Sequence, residues 1–213
     1  MKVPARYHRH PLPVPQLLIL PPLKKVLAAA RLPHKLMYAL SGSVDRGAQL
    51  FFFVPRILLV QPLVELMRSY FPELAVEGTS SKDAERTDKV LQFRQGGIRI
   101  LVTTTILERG VTVPKTDVFY RGCGGQAFFD EAALIQMSGR AGRSKEDPAG
   151  RVFFWAEEKT RSQAGAIKQI KLMNRIAKKK GVPGQTAIIY ITRLIIGGLM
   201  SCFSIKISES SAR

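Results

Sequence analysis

The sequence predicts an α/β fold in which a mostly parallel sheet is covered by helices on both faces, and three observations predict it. Apolar runs of strand length recur, of which Gln49 to Val54, with three phenylalanines, is the clearest. Such runs, without polar alternation, suit strands buried on both faces of a parallel sheet. Segments with apolar residues at helical spacing separate the runs, and strands separated by helices imply right-handed βαβ units. Turn residues such as Gly78-Thr79-Ser80 and Gly96-Gly97 punctuate the alternation.

Taken in order, five prolines between Pro11 and Pro22 break up short apolar runs, which suits extended backbone lying as a linker or an added sheet edge. Leu36, Met37 and Leu40 predict a short helix between Pro33 and Ser41, which Gly42 can end. After the strand from Gln49 come Leu63, Leu66, Met67 and Tyr70 at helical spacing, with Pro62 tolerated near the helix start. Leu74 to Glu77 is strand-sized. Ser81 can cap a helix that turns Val90, Leu91 and Phe93 inward and Glu85 and Arg86 to water. Ile98 to Thr103, Thr116 to Arg121 and Arg151 to Trp155 are the remaining strands, with a helix over Asp130 to Ser138. Lys159 to Lys180 is one basic amphipathic helix, docked through Ile167, Ile170, Met173, Ile176 and Ala177. The expected organisation is a proline-rich extended segment (1–34), the α/β domain (35–157), the basic helix (158–183) and an atypical tail (184–213).

Composition narrows the partners. The 33 Lys and Arg against 16 Asp and Glu give a formal charge of +17, which favours a polyanion, nucleic acid before anionic membrane. Cys123 and Cys202 are far apart with no CxxC, so no zinc site or disulfide framework is expected. The basic start runs into proline rather than an apolar stretch, which argues against a secretory signal and for the cytoplasm.

Two strings carry chemistry. In Gln136-Met-Ser-Gly-Arg-Ala-Gly-Arg143, Arg140 and Arg143 each follow a glycine at the end of a predicted helix. Glycine lets backbone approach another surface, and planar, permanently charged guanidinium suits the oxygens of a transferring phosphoryl group. A lone Gly-Arg pair would be read as surface arginine at a helix end. In Ile100-Leu-Val-Thr-Thr-Thr-Ile-Leu-Glu-Arg-Gly-Val-Thr-Val-Pro114 a strand ends in Thr103, Thr104 and Thr105. Their hydroxyls can bond phosphate oxygens at the carboxyl edge of the sheet, where open α/β folds bind ligands, although threonine also simply favours strands.

The first string resembles motif VI of superfamily 2 helicases, and the second, at a suitable distance before it, resembles motif V. The resemblance implies a RecA-like sheet. It gives Arg140 and Arg143 a catalytic role on ATP, with Gln136 beside them. It also implies backbone contact with DNA for Thr104 and close approach to nucleotide for Gly110. Thr112 departs from the acidic residue of many relatives. Phe93 to Val102 looks like the junction preceding motif V, and Thr79 stands where the family contacts DNA after its second strand. The stretches Arg6 to Pro15, Thr104 to Thr112 and Ile167 to Gly181 resemble the ComFA family of competence DNA-uptake ATPases, whose four-cysteine zinc module is not found.

No G-x-x-x-x-G-K-[ST] string occurs, so the loop that cradles ATP phosphates is missing from this sequence. Asp130-Glu131-Ala132-Ala133 superficially resembles a metal-binding box but opens a helix, where acidic residues are ordinary. The leading expectation is half of a single-stranded DNA motor. An N-terminal RecA-like ATPase half would supply ATP and Mg2+, and the DNA-uptake machinery would hold the whole at the inner face of the membrane. The alternatives are a non-catalytic single-stranded nucleic-acid binding module and a truncated, inactive remnant. Ala187 to Ile207 has the length of a membrane helix, but Arg193, Gly197-Gly198, Ser201 and Ser204 dilute it, so the tail is expected not to span a membrane.

Overall fold

The computed structural model describes residues 10–104, 113–122, 130–142, 144 and 147–180. Its centre is a sheet of six strands, β1 (Gln16–Ile19), β2 (Gln49–Phe53), β3 (Val76–Thr79), β4 (Ile100–Thr103), β5 (Thr116–Arg121) and β6 (Val152–Ala156). Their order is β1-β6-β5-β2-β4-β3. Every pairing is parallel, as the βαβ alternation requires. The helices are α1 (Leu23–Ala28), α2 (His34–Asp45), α3 (Val60–Tyr70), α4 (Arg86–Arg94), α5 (Glu131–Ser138) and α6 (Arg161–Lys180).

All five residues of β2 are buried because alternate side chains enter two cores. Leu50 and Phe52 join residues of α1, α2 and α3 on one face. Phe51 and Phe53 join Phe93 of α4, Leu134 and Met137 of α5 and Ala166 of α6 on the other. Aromatic rings form a ladder across three strands: Phe52 stacks on Phe119 at 5.7 Å and Phe119 on Phe153 at 4.6 Å. Such pairs add roughly 0.5–1.5 kcal/mol each beyond area burial.

Four local readings are corrected. Helix α2 runs through Gly42 to Asp45, and the chain turns instead at Gly47, whose φ of +79° suits glycine. Strand β3 starts two residues later than Leu74, which the preceding turn consumes through Leu74 N–H to Phe71 O (3.0 Å). Gly78 and Thr79 are therefore strand residues, and a Cβ on Gly78 would stand 2.7 Å from Val60 Cγ1 of α3. Ser81 caps nothing; α4 begins at Arg86, and Asp83 Oδ1 accepts from Glu85 N–H (3.0 Å) in the preceding turn. Leu91 is 48% exposed, because Val90 and Phe93, three apart, already form the inward stripe.

The proline-rich segment supplies edge strand β1, paired with β6, and then α1, a short helix the prolines do not announce. Pro22 occupies its N-cap, where a missing N–H costs little, and Leu23 and Val26 are buried. The Asn174 side chain of α6 clasps Leu12 with two bonds of 2.8 Å, accepting from Leu12 N–H and donating to Leu12 O. Thr160 and Gln163 exchange hydrogen bonds in a capping box that starts α6. Among the described residues no helix is long and apolar enough to cross a membrane. The tail beyond Lys180 lies outside them.

Candidate functional site

Those predicted site residues that the structure describes fall at two ends of the sheet. Thr79 ends β3 and Thr103 ends β4, and the parallel register sets them opposite each other, about 4.8 Å apart along the edge. Thr104 follows at once. All three are buried, and Thr103 Oγ1 donates to Thr104 O at 3.1 Å. The structure thus gathers Thr79, Thr103 and Thr104 at the carboxyl edge.

Beyond Thr79 the turn into α4 carries charge. Lys89 Nζ lies 2.9 Å from Asp83 Oδ2 and 3.3 Å from Glu85 Oε2. Burial pushes the Asp83 carboxyl up, but Lys89, the Glu85 amide and the Thr79 hydroxyl outweigh it and hold the group below the usual carboxylate range. Thr79 contributes without a hydrogen bond of ordinary geometry. The hydrogen bond to Asp83, opposed by a smaller burial effect and joined by the Glu85 carboxylate, raises Lys89. The lowered Asp83 stabilises the fold above the unfolded carboxylate pKa, and that contribution is lost as pH falls through its folded value. Acid titration of stability should therefore be flatter in Asp83→Asn than in the parent below about pH 4, by less than about 1 kcal/mol; coincident curves would refute the coupling.

Arg121, at the carboxyl end of β5, also reaches this edge, outside both motif strings. One Nη donates to Glu157 Oε1 at 2.7 Å, and the guanidinium lies 5.7 Å from the centre of the Trp155 ring. Its Nε and other Nη are buried with no hydrogen-bond partner among the described residues. An arginine closing an apolar strand is the signal that would have found it.

The arginine-bearing string lies elsewhere. Asp130 caps α5, its Oδ1 accepting from Ala133 N–H at 2.7 Å, so the acidic pair opens the helix as expected. Gln136 is exposed on α5 and Arg140 half-buried just beyond it. Gly142 turns with a φ of +59° against Pro148 and Gly150, two residues before β6 starts, which places the turn toward the amino edge of the sheet. A Cβ on Gly142 would stand 2.6 Å from Pro148 O, and one on Gly150 would run into Gly142 N. The two glycines cross where neither tolerates a side chain. Gly110 and Arg143 lie outside the described residues.

At that amino edge Arg46 joins two carboxylates. Its Nε and one Nη donate to Asp117 (3.0 and 2.5 Å), and its other Nη donates to both oxygens of Asp147 (2.9 and 3.0 Å). Asp117, fully buried at the start of β5, also accepts from Arg151 N–H at 2.6 Å. Burial opposes the charge on Arg46, but its bonds to Asp117 and Asp147 prevail and raise its pKa further above the ordinary arginine value. No cluster of three or more His, Cys, Asp or Glu fit to hold a metal occurs among the described residues.

The chain is 37% identical over 179 residues to competence protein ComFA of Bacillus subtilis, covering 84% of this chain and 38% of that protein. It is 34% identical over 177 residues to competence protein ComFA of Streptococcus pneumoniae, covering 83% and 41%. It is also 28% identical over 132 residues to the ATP-dependent DNA helicase RecG of Treponema pallidum, covering 57% and 19%. The chain thus spans about two fifths of the length of the two ComFA relatives. Residues 31–145 match the helicase conserved C-terminal domain, a stretch that takes in the carboxyl-edge threonines and the turn that carries Arg140, and the chain belongs to that family.

Proposed function

We propose that this chain is the second RecA-like half of an ATP-driven single-stranded DNA translocase, ComFA-like and serving DNA uptake. The observation that carries the proposal is the division of the two residue sets between opposite ends of one sheet. Thr79, Thr103 and Thr104 form a hydroxyl-lined carboxyl edge suited to a phosphate backbone. Arg140 is carried on a separate turn that the crossing of Gly142 and Gly150 holds close, and Arg143 follows it three residues on in the sequence. A sheet packed on both faces is stiff enough for an event at one end to be felt at the other.

ATP supplies the driving force when bound between two such halves. In that arrangement Arg140 and Arg143, with Gln136 and Gly110, would be the residues of this chain that hold the nucleotide and stabilise charge on its transferring phosphoryl group, and the other half would supply the Mg2+ site. The sequence contains no phosphate-cradling Gly-Lys string, so ATP must first be bound by an N-terminal RecA-like half. The isolated chain is therefore expected to show no DNA-stimulated ATP hydrolysis, and adding such a half should restore it. Turnover by the purified chain alone that vanishes in Arg143→Ala would refute the division of labour.

Binding to single-stranded DNA is expected to be weak, sequence-tolerant and steeply salt-dependent, because hydroxyls and a +17 charge address the backbone and not the bases. Fluorescence anisotropy from about 50 to 200 mM salt should give a log–log slope of about −0.7 per phosphate contacted. Thr104→Val should weaken binding at every salt concentration without changing preference among sequences; affinity indifferent to salt counts against backbone tracking. A cytoplasmic protein held peripherally at the inner membrane face fits this role.

A further inference from the structure

We infer that Arg46, Asp117 and Asp147 form a strut that positions the arginine-bearing turn, making Arg46 and Asp147 positioning residues outside both helicase motifs. The inference rests on the role proposed above for Arg140 and Arg143, but its structural half can be tested separately. Arg46 follows α2, Asp117 opens β5 and Asp147 lies after the turn, so one guanidinium ties three distant parts of the chain. Asp117 is anchored in the sheet and is wholly buried. Through Arg46 it fixes Asp147, and through its own bond to Arg151 N–H it fixes the residue before β6. The short leg from Asp147 to Arg151 is thus pinned at both ends.

Gly150 lies on that leg, and it carries the constraint onward. A Cβ on Gly150 would stand 2.7 Å from both Ala141 C and Gly142 Cα, so the leg and the Gly139–Gly142 turn are in backbone contact. Ala141 is completely buried on the other side. The turn is therefore held between the core and the pinned leg, and any outward swing of the leg frees the backbone on which Arg140 is carried. Fixing a guanidinium to within a fraction of an ångström requires such support, because small misplacement of a charge-stabilising group is costly to catalysis. The fork shape of arginine matters here: five donors in one plane serve two carboxylates at once, which a lysine ammonium cannot reproduce.

The experiment is hydrogen exchange on the full chain, parent against Asp147→Ala, a change that leaves the Arg46–Asp117 pair in place. Amides of Gly139 to Gly142 are expected to exchange at least about tenfold faster, the effect of losing a charged hydrogen-bond pair. Those of α3, on the opposite face, should be unchanged, and Asp147→Glu should recover most of the protection. Acceleration spread equally over α3, or no acceleration in the turn, overturns the strut. If Asp147→Ala does not fold, Asp147→Asn keeps the shape and one acceptor and is judged by the same criteria. With an N-terminal ATPase half supplied, Asp147→Ala should lower kcat while single-stranded DNA affinity stays at the parent value. A loosened turn with unchanged kcat would leave the strut standing and overturn the role given to the arginines.

Discussion

With an ATP-binding half supplied, Arg143→Ala is expected to lower DNA-stimulated ATP turnover by about 10³-fold or more, the usual magnitude for losing an arginine finger. The effect is this large because a guanidinium acts on charge that develops only in the transition state, in a cleft from which water is excluded. Affinity for single-stranded DNA should stay nearly intact, since the threonines proposed to hold the backbone are at the other end of the sheet from the Gly142 turn. Steady-state ATPase assays paired with anisotropy separate the two quantities. Equal loss of turnover and DNA binding would make the arginine structural. Arg140→Ala is the companion variant and carries the same expectation, with the added readout that the turn it stands on is held by Gly142 and Gly150.

What was legible in the sequence follows from which interactions are local. Strand β2 is legible to within one residue because burial on both sheet faces favours a continuous apolar run, and β5 is legible with its boundaries from the shorter run of Val118, Phe119 and Tyr120, although it opens on Thr116 and Asp117 and closes on Arg121. The N-terminal cap of α5 was legible in Asp130, and the capping box of α6 was equally present in Thr160 and Gln163 although only the helix was anticipated. Gly42 and Gly78 misled for one reason. Both look like punctuation, yet Gly42 lies inside α2 and Gly78 makes room for Val60 and Val64 of α3, a demand set by a neighbouring helix. The candidate site divides in the same way. Threonines and arginines were visible as residue types in ordered motifs, whereas the pairing of Thr79 with Thr103 depends on which strands become neighbours. The Arg46 cluster was invisible altogether, because its partners lie 71 and 101 residues away and carry no motif.

The largest expected loss of stability belongs to Asp117→Ala. Asp117 is fully buried and accepts three N–H bonds, two from Arg46 and one from the Arg151 backbone. Its removal leaves a half-buried guanidinium with only Asp147 to balance it and a backbone donor at the mouth of β6 without its acceptor. Breaking a buried pair by deleting one partner typically costs about 3–5 kcal/mol, much more than the pair contributes over a well-packed apolar replacement. Urea denaturation should therefore show a lowered midpoint that, multiplied by an unchanged slope, gives a loss of that size. Arg46→Ala made in the Asp117→Ala background should cost far less than Arg46→Ala alone, since the charge that Arg46 compensates has gone. Additive losses in that cycle would mean that the two residues stabilise the fold independently, and that the short contacts between them are not the source of the effect.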